Sequence, residues 1–86
     1  MPKATKALQF FQVSQERMEY LFERWQDEKR HEDIGDYLEV LEPFATPLGV
    51  VLTRMTSRPF GVRYEVDGKK FYATMTATKW TYKQTG

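Results

Sequence analysis

Eighty-six residues, 41% apolar, 15% aromatic and 29% charged, suffice for one hydrophobic core and leave no room for a second unit, and the balance excludes a disordered tail. The absence of cysteine removes disulfides and thiolate zinc sites as supports, so burial or oligomerisation must hold the chain together. A formal charge of +1 argues against a polyanion mimic or a general nucleic-acid coat, but residues 1–45 carry six Lys/Arg against ten Asp/Glu and residues 46–86 seven against two, a net −4 beside a net +5.

The lysines and apolar patch at the start imitate a signal peptide. The patch spans only Ala7 to Val13, is interrupted by Gln9 and Gln12, and has no small-residue cleavage pattern after it. Nowhere does the chain approach the roughly 20 apolar residues that cross a bilayer. A soluble, unprocessed protein with the cytoplasm as default compartment is expected, with residues 1–6 and 83–86 fraying. Ala7, Phe10 and Phe11 have helical spacing, but Ser14 reads as the N-cap of the next element, so residues 7–13 are assigned to a short edge strand.

From Ser14 onward Met18, Leu21, Phe22 and Trp25 recur at i, i+3, i+4 and i+7, which predicts an amphipathic helix. Glu16 sits in its first turn, Val13 and Met18 have the spacing of a hydrophobic staple, and Lys29, Arg30 and His31 lie where a helix C-terminus favours positive charge. A second, shorter helix follows an Asp33 cap, carries Ile34, Tyr37, Leu38 and Leu41 on one face, and is expected to stop at Pro43, which disfavours α geometry in Glu42.

The remainder is β in character. Leu48 to Ser57 is rich in β-branched residues, and Pro59 suits the first central position of the turn that follows. Asp67-Gly68 between two alternating runs signals a two-residue hairpin loop, because both positions tolerate positive φ. That loop pairs Val66 with Lys69, Tyr64 with Phe71, Arg63 with Tyr72 and Phe60 with Met75. It places Phe60, Val62, Tyr64, Val66, Phe71, Ala73 and Met75 on one face, and Arg63, Glu65, Lys70, Tyr72 and Thr74 on the other. Ala77 continues the first set, whereas Trp80 and Tyr82 change parity. A bulge near Thr78 and Lys79 would turn them into the core, an unbroken strand would leave them outside, and the size of the indole favours burial. The expected fold is α+β: two helices on an antiparallel sheet of three strands, or four with the N-terminal edge strand, in the order (β)ααβββ, forming a single domain.

Reacting groups are scarce. The one histidine, His31, lies among Glu28, Glu32 and Asp33 as a solvated residue near a helix end. No glycine-rich phosphate loop or calcium-loop spacing occurs, and the Glu32 and Asp36 carboxylates read as helix-start electrostatics rather than as a magnesium site. No catalytic residue, metal or cofactor is assigned, and the chain reads as a non-enzyme.

Two surfaces remain. Glu16, Glu19, Glu23 and Asp27 form an acidic ridge on the outer face of the first predicted helix, with Tyr20 among them. Glu19 with Glu23 and Glu23 with Asp27 are like-charge i,i+4 pairs that cost a few tenths of a kcal/mol each. A basic partner, either another protein or a second copy of the chain, would compensate them. The outer sheet face combines Arg63, Lys70, Tyr72, Lys79 and Trp80 with Thr74, Thr76, Thr78 and Lys83, a mixture able to contact phosphates and stack on bases, though no nucleic-acid motif is present. The leading expectation is a small binding module acting by protein contact as an adaptor, inhibitor or homodimer, with nucleic-acid binding by the sheet as the alternative. Small cysteine-free chains without motifs are common among phage and plasmid accessory proteins, including inhibitors of host systems, and the analogy is one of style alone.

Overall fold

The computed structural model describes residues 5–28, 36–76 and 79–86. Among these residues three helices, α1 (Lys6–Val13), α2 (Gln15–Glu28) and α3 (Tyr37–Ala45), precede four strands, β1 (Val51–Ser57), β2 (Phe60–Val66), β3 (Lys69–Met75) and β4 (Trp80–Gln84). The strands form an antiparallel meander in the order β1-β2-β3-β4, and the helices pack on one of its faces. The fold is α+β, with three helices where two were expected and a fourth strand at the C-terminal rather than the N-terminal end. Residues 1–4, expected to fray, the predicted cap Asp33, Ile34, the basic group Lys29, Arg30 and His31, and Ala77 with Thr78 lie outside the described residues. Lys83 and Gln84 belong to β4, and Gly86 accepts a hydrogen bond from the Lys70 amide at 3.0 Å.

The segment read as an edge strand is α1. Thr5 caps it, its Oγ1 accepting from the Leu8 amide at 3.1 Å, and Ala7 and Phe10, three apart, are buried. Ser14 explains the misreading. Its backbone is helical, its amide donates to Phe10 O at 3.0 Å, its own carbonyl accepts from the Met18 amide at 2.8 Å, and its hydroxyl turns back to Phe11 O at 3.2 Å. Ser14 is thus a one-residue joint between two helices and not a side-chain cap of the second. Val13 stands 50% exposed, while Met18 is fully buried.

Pro43 does not end α3. Its exposed ring costs the helix one donor, but the turn is held by burial of Leu41 and Ala45, four apart on one face. The stop comes later, in a 3-10 turn at Thr46–Leu48 closed by Gly49 at φ 71°, a left-handed position that suits glycine. Leu48 therefore lies in the turn, and β1 begins only at Val51. Pro59 occupies the second central position of the β1–β2 turn, not the first, with a cis bond to Arg58.

The Asp67-Gly68 loop has the expected form. Both residues have positive φ, 54° and 78°, and the β2–β3 register is Val66 with Lys69 through Phe60 with Met75. Phe60, Val62, Tyr64, Val66, Phe71, Ala73 and Met75 all lie in the core. At one end Phe60 gathers Phe22, Trp25 and Tyr37, with ring centroids 5.6, 5.3 and 6.0 Å away. At the other, Phe10 meets Tyr64 edge-on at 4.8 Å.

The parity change before Trp80 is a hairpin rather than a bulge. The chain turns between Thr76 and Lys79, where the Thr76 amide donates to Lys79 O at 2.8 Å, and Met75 then pairs with Trp80. Trp80 is 8% exposed. Its Nε1 donates to Phe11 O at 2.8 Å, and the Phe11 ring lies 5.0 Å from Trp80 and 4.6 Å from Tyr82.

Tyr64 provides the second such tie, its hydroxyl donating to Ala7 O at 3.1 Å. Burial first, and the neighbouring Tyr82 phenol second, hold its pKa far above the usual 10.0. The unfolded chain loses this proton near pH 10 while the folded chain retains it, so the stabilisation is complete below that pH and declines as pH rises further. Tyr64→Phe is expected to cost about 1 kcal/mol at neutral pH and to lose less stability than the wild type above about pH 10. Urea unfolding across this range measures both effects; parallel pH profiles for the two proteins would contradict the assignment.

Candidate interaction surfaces

The two-layer arrangement leaves two faces in solvent: the far side of the helices and the far side of the sheet. On α2, Met18 and Leu21 are buried and Phe22 and Trp25 half-buried, so residues half a turn away project outward. Glu16, Glu19, Glu23 and Asp27 are all exposed, and Tyr20 stands among them with 51% of its surface in solvent. A helix of this geometry separates Glu16 from Asp27 by about 16 Å along its axis. The Gln15 amide donates to Glu19 Oε1 at 3.4 Å, and the Arg17 guanidinium is drawn aside over the Phe44 ring at 5.6 Å. Tyr20 is a shared wall of two hollows, one with Glu23, Arg24 and Asp27, the other, about 240 Å³, with Val13, Glu16, Arg17 and Phe44.

The outer face of the sheet is basic along a single row. Arg54 pairs with Arg63, Arg63 with Tyr72 and Tyr72 with Lys83, so one line of side chains crosses all four strands. At about 4.8 Å per strand the row is ~14 Å long. Arg54 belongs to it only because the register slips between Leu52 and Arg54. The extra residue, Thr53, lets Leu52 and Met55 both face the helices and turns Arg54 outward, while Thr53 Oγ1 donates to Arg63 O at 2.9 Å. Arg63 lies over the Tyr72 ring, its Cζ 4.1 Å from the centroid. The Tyr72 hydroxyl reaches across β2 to Thr56 Oγ1 on β1 at 2.7 Å, and Thr56 donates in turn to Pro59 O at 2.7 Å. Lys70 stands opposite Glu65 in the adjacent row.

Of the sheet residues expected to act together, Arg63, Lys70 and Tyr72 share the outer face. Trp80 does not: it is buried beneath α1. Lys79 sits in the β3–β4 turn and faces the helix layer, lining a groove of about 290 Å³ whose opposite wall carries Glu19 and Glu23 and whose floor is Phe22, Met75 and Trp80. Sequence reasoning left Arg54 out of the row because nothing local signals a bulge at Thr53, whereas Lys83, expected near this face, takes its place in the row opposite Tyr72.

Among the described residues no three His, Cys, Asp or Glu side chains converge as a metal site, and no helix is long and apolar enough to cross a membrane. The chain matches no family model, and no curated protein or solved structure shows significant similarity to it.

The row depends on a close approach at Gly61, which lies between Thr56 and Thr74 in the next row. A Cβ there would run into the Ala73 carbonyl oxygen and the Thr74 backbone, and it would project toward the face crossed by Tyr72. Gly61→Ala is expected to cost about 1–3 kcal/mol and to weaken the Tyr72 to Thr56 bond. Thermal unfolding with amide exchange along β2 and β3 reads both; an alanine variant as stable as the parent would contradict this account of the sheet.

Proposed function

We propose that the chain is a non-catalytic binding module that acts by protein–protein contact, as an adaptor, an inhibitor or a self-associating unit, through the outer face of α2. The observation that carries this reading is Tyr20: a large aromatic half in solvent, between two hollows and surrounded by four carboxylates that serve no core role. Tyrosine is favoured at interface centres because it offers a broad apolar surface with a polar tip and little rotamer entropy to lose. The like-charge pairs Glu19–Glu23 and Glu23–Asp27 weaken an isolated helix, and a basic partner would convert that cost into attraction. Burial of Trp80 further supports the helix over the sheet, since the largest base-stacking candidate of the sheet is committed to the core.

Nucleic-acid binding by the sheet is the second reading. Its support is Arg54 placed directly opposite Arg63 in an uncovered row, where a phosphate would relieve the repulsion. Against it, the one aromatic ring of the row is covered by a guanidinium and its hydroxyl is already bonded.

Capture experiments with the tagged protein distinguish the two. Tyr20→Ala and the double variant Glu23→Lys/Asp27→Lys are expected to abolish salt-sensitive retention of a protein partner while changing stability by no more than about 0.5 kcal/mol. Retention of the same partner by both variants, or a mobility shift of nucleic-acid probes that Arg54→Ala abolishes, would displace this reading.

A further inference from the structure

We infer that the partner of the acidic ridge is the basic row of a second copy of the same chain, joined head to tail. This rests on the docking role proposed for α2 and adds the identity of what docks. The charge division between the two halves of the sequence becomes a division between two layers, because the first half forms the helices and the second forms the sheet.

The surfaces match in length and in pattern. Glu16, Glu23 and Asp27 span about 16 Å of helix, and Arg54, Arg63 and Lys83 span ~14 Å across the strands. Each line holds one tyrosine between its charges, Tyr20 in the ridge and Tyr72 in the row. Among the described residues, the exposed large apolar side chains fall on the same two faces: Val13 at 50% and Tyr20 at 51% beside the ridge, and Val51 at 62% at the edge of the outer sheet face, opposite Glu65. Desolvation of these three side chains gives the contact an apolar component that carboxylates and guanidinium groups alone would lack.

Ridge and row lie on opposite sides of the molecule, so the contact is heterologous. A pair that buries one ridge and one row leaves the other ridge and the other row open, and growth continues beyond the dimer unless rotation closes a ring. With a short helix seated on one side of a small sheet, the buried area falls at the low end of specific interfaces, and the association is weak and governed by concentration and salt.

Sedimentation of the purified chain over a concentration series, at low and high salt, measures this directly. The mass average is expected to rise with concentration past the dimer at low salt, and the apparent dissociation constant to increase at least about tenfold at high salt. Two charge changes complete the test: Glu23→Lys/Asp27→Lys takes the four ridge carboxylates from −4 to 0, so the ridge no longer attracts the basic row, and Arg54→Glu/Lys83→Glu takes the row from +3 to −1, so both surfaces are acidic. Each variant alone is expected to stay monomeric with an unchanged circular dichroism spectrum, whereas an equimolar mixture associates, ridge of one on row of the other. A monomeric wild type at every concentration, or two variants that associate as the wild type does, overturns the inference. If the wild type is monomeric but still captures a foreign protein that the ridge variant releases, the docking role of α2 stands and only its self-partner falls. A nucleic-acid mobility shift lost in the Arg54→Glu/Lys83→Glu variant alone assigns the row to nucleic acid instead.

Discussion

The hydrogen bond from Trp80 Nε1 to the Phe11 carbonyl, with the Phe11 ring held between Trp80 and Tyr82, joins the first helix to the last strand. Much else follows from it. The carbonyls in the last turn of a helix have no partner within the helix, and an indole N–H buried at 2.8 Å satisfies one of them while bringing apolar surface over α1. A chain of this length buries a smaller share of its surface than a larger domain does, so a contact that closes the core between its two ends has disproportionate weight. Tyr64, bonded to Ala7 O from the middle of the sheet, provides a second anchor for the same helix. Without this pair, α1 would be an eight-residue helix, too short to persist alone in water.

Placing Trp80 inward also decides what the outer face can be. Its neighbours in β4 alternate, so Thr81 and Lys83 turn outward and Lys83 completes a row begun on β1. Tyr72, the one ring in that row, is fixed from two directions, by Arg63 above it and Thr56 beside it. The face is consequently a preorganised electrostatic surface with little freedom for stacking. Preorganisation of this kind lowers the side-chain ordering that binding would otherwise require.

How much of this could be read from residues alone depended on the range over which each signal acts. Asp67-Gly68 is a local signal with one low-energy solution, and it correctly placed seven core residues and the whole β2–β3 register. The stripe Met18, Leu21, Phe22 and Trp25 repeats over two turns, which sufficed to locate α2 and to send Tyr20 outward. The failures occur where a tertiary contact outweighs a local preference. Ser14 reads as a cap, yet its hydroxyl serves the preceding helix; Pro43 reads as a stop, yet burial of Ala45 carries the helix past it; and the turn after Met75 has no described glycine, proline or asparagine to announce it. The bulge at Thr53 belongs with these, because only the need to bury both Leu52 and Met55 reveals it.

That bulge links the core to the surface electrostatics. A regular β1 would give Arg54 the same direction as Leu52, toward the helices, where an unpaired guanidinium is costly. One extra residue resolves the conflict by burying Met55 and delivering Arg54 to the outer row, directly beside Arg63. Two adjacent guanidinium groups on a sheet disfavour the isolated fold slightly, as the stacked carboxylates of α2 disfavour the isolated helix. The same small molecule therefore carries two unfavourable charge arrangements of opposite sign, on opposite faces. Each is relieved by the other if copies meet, so the surface energetics that look like a fault in one chain become an attraction between two.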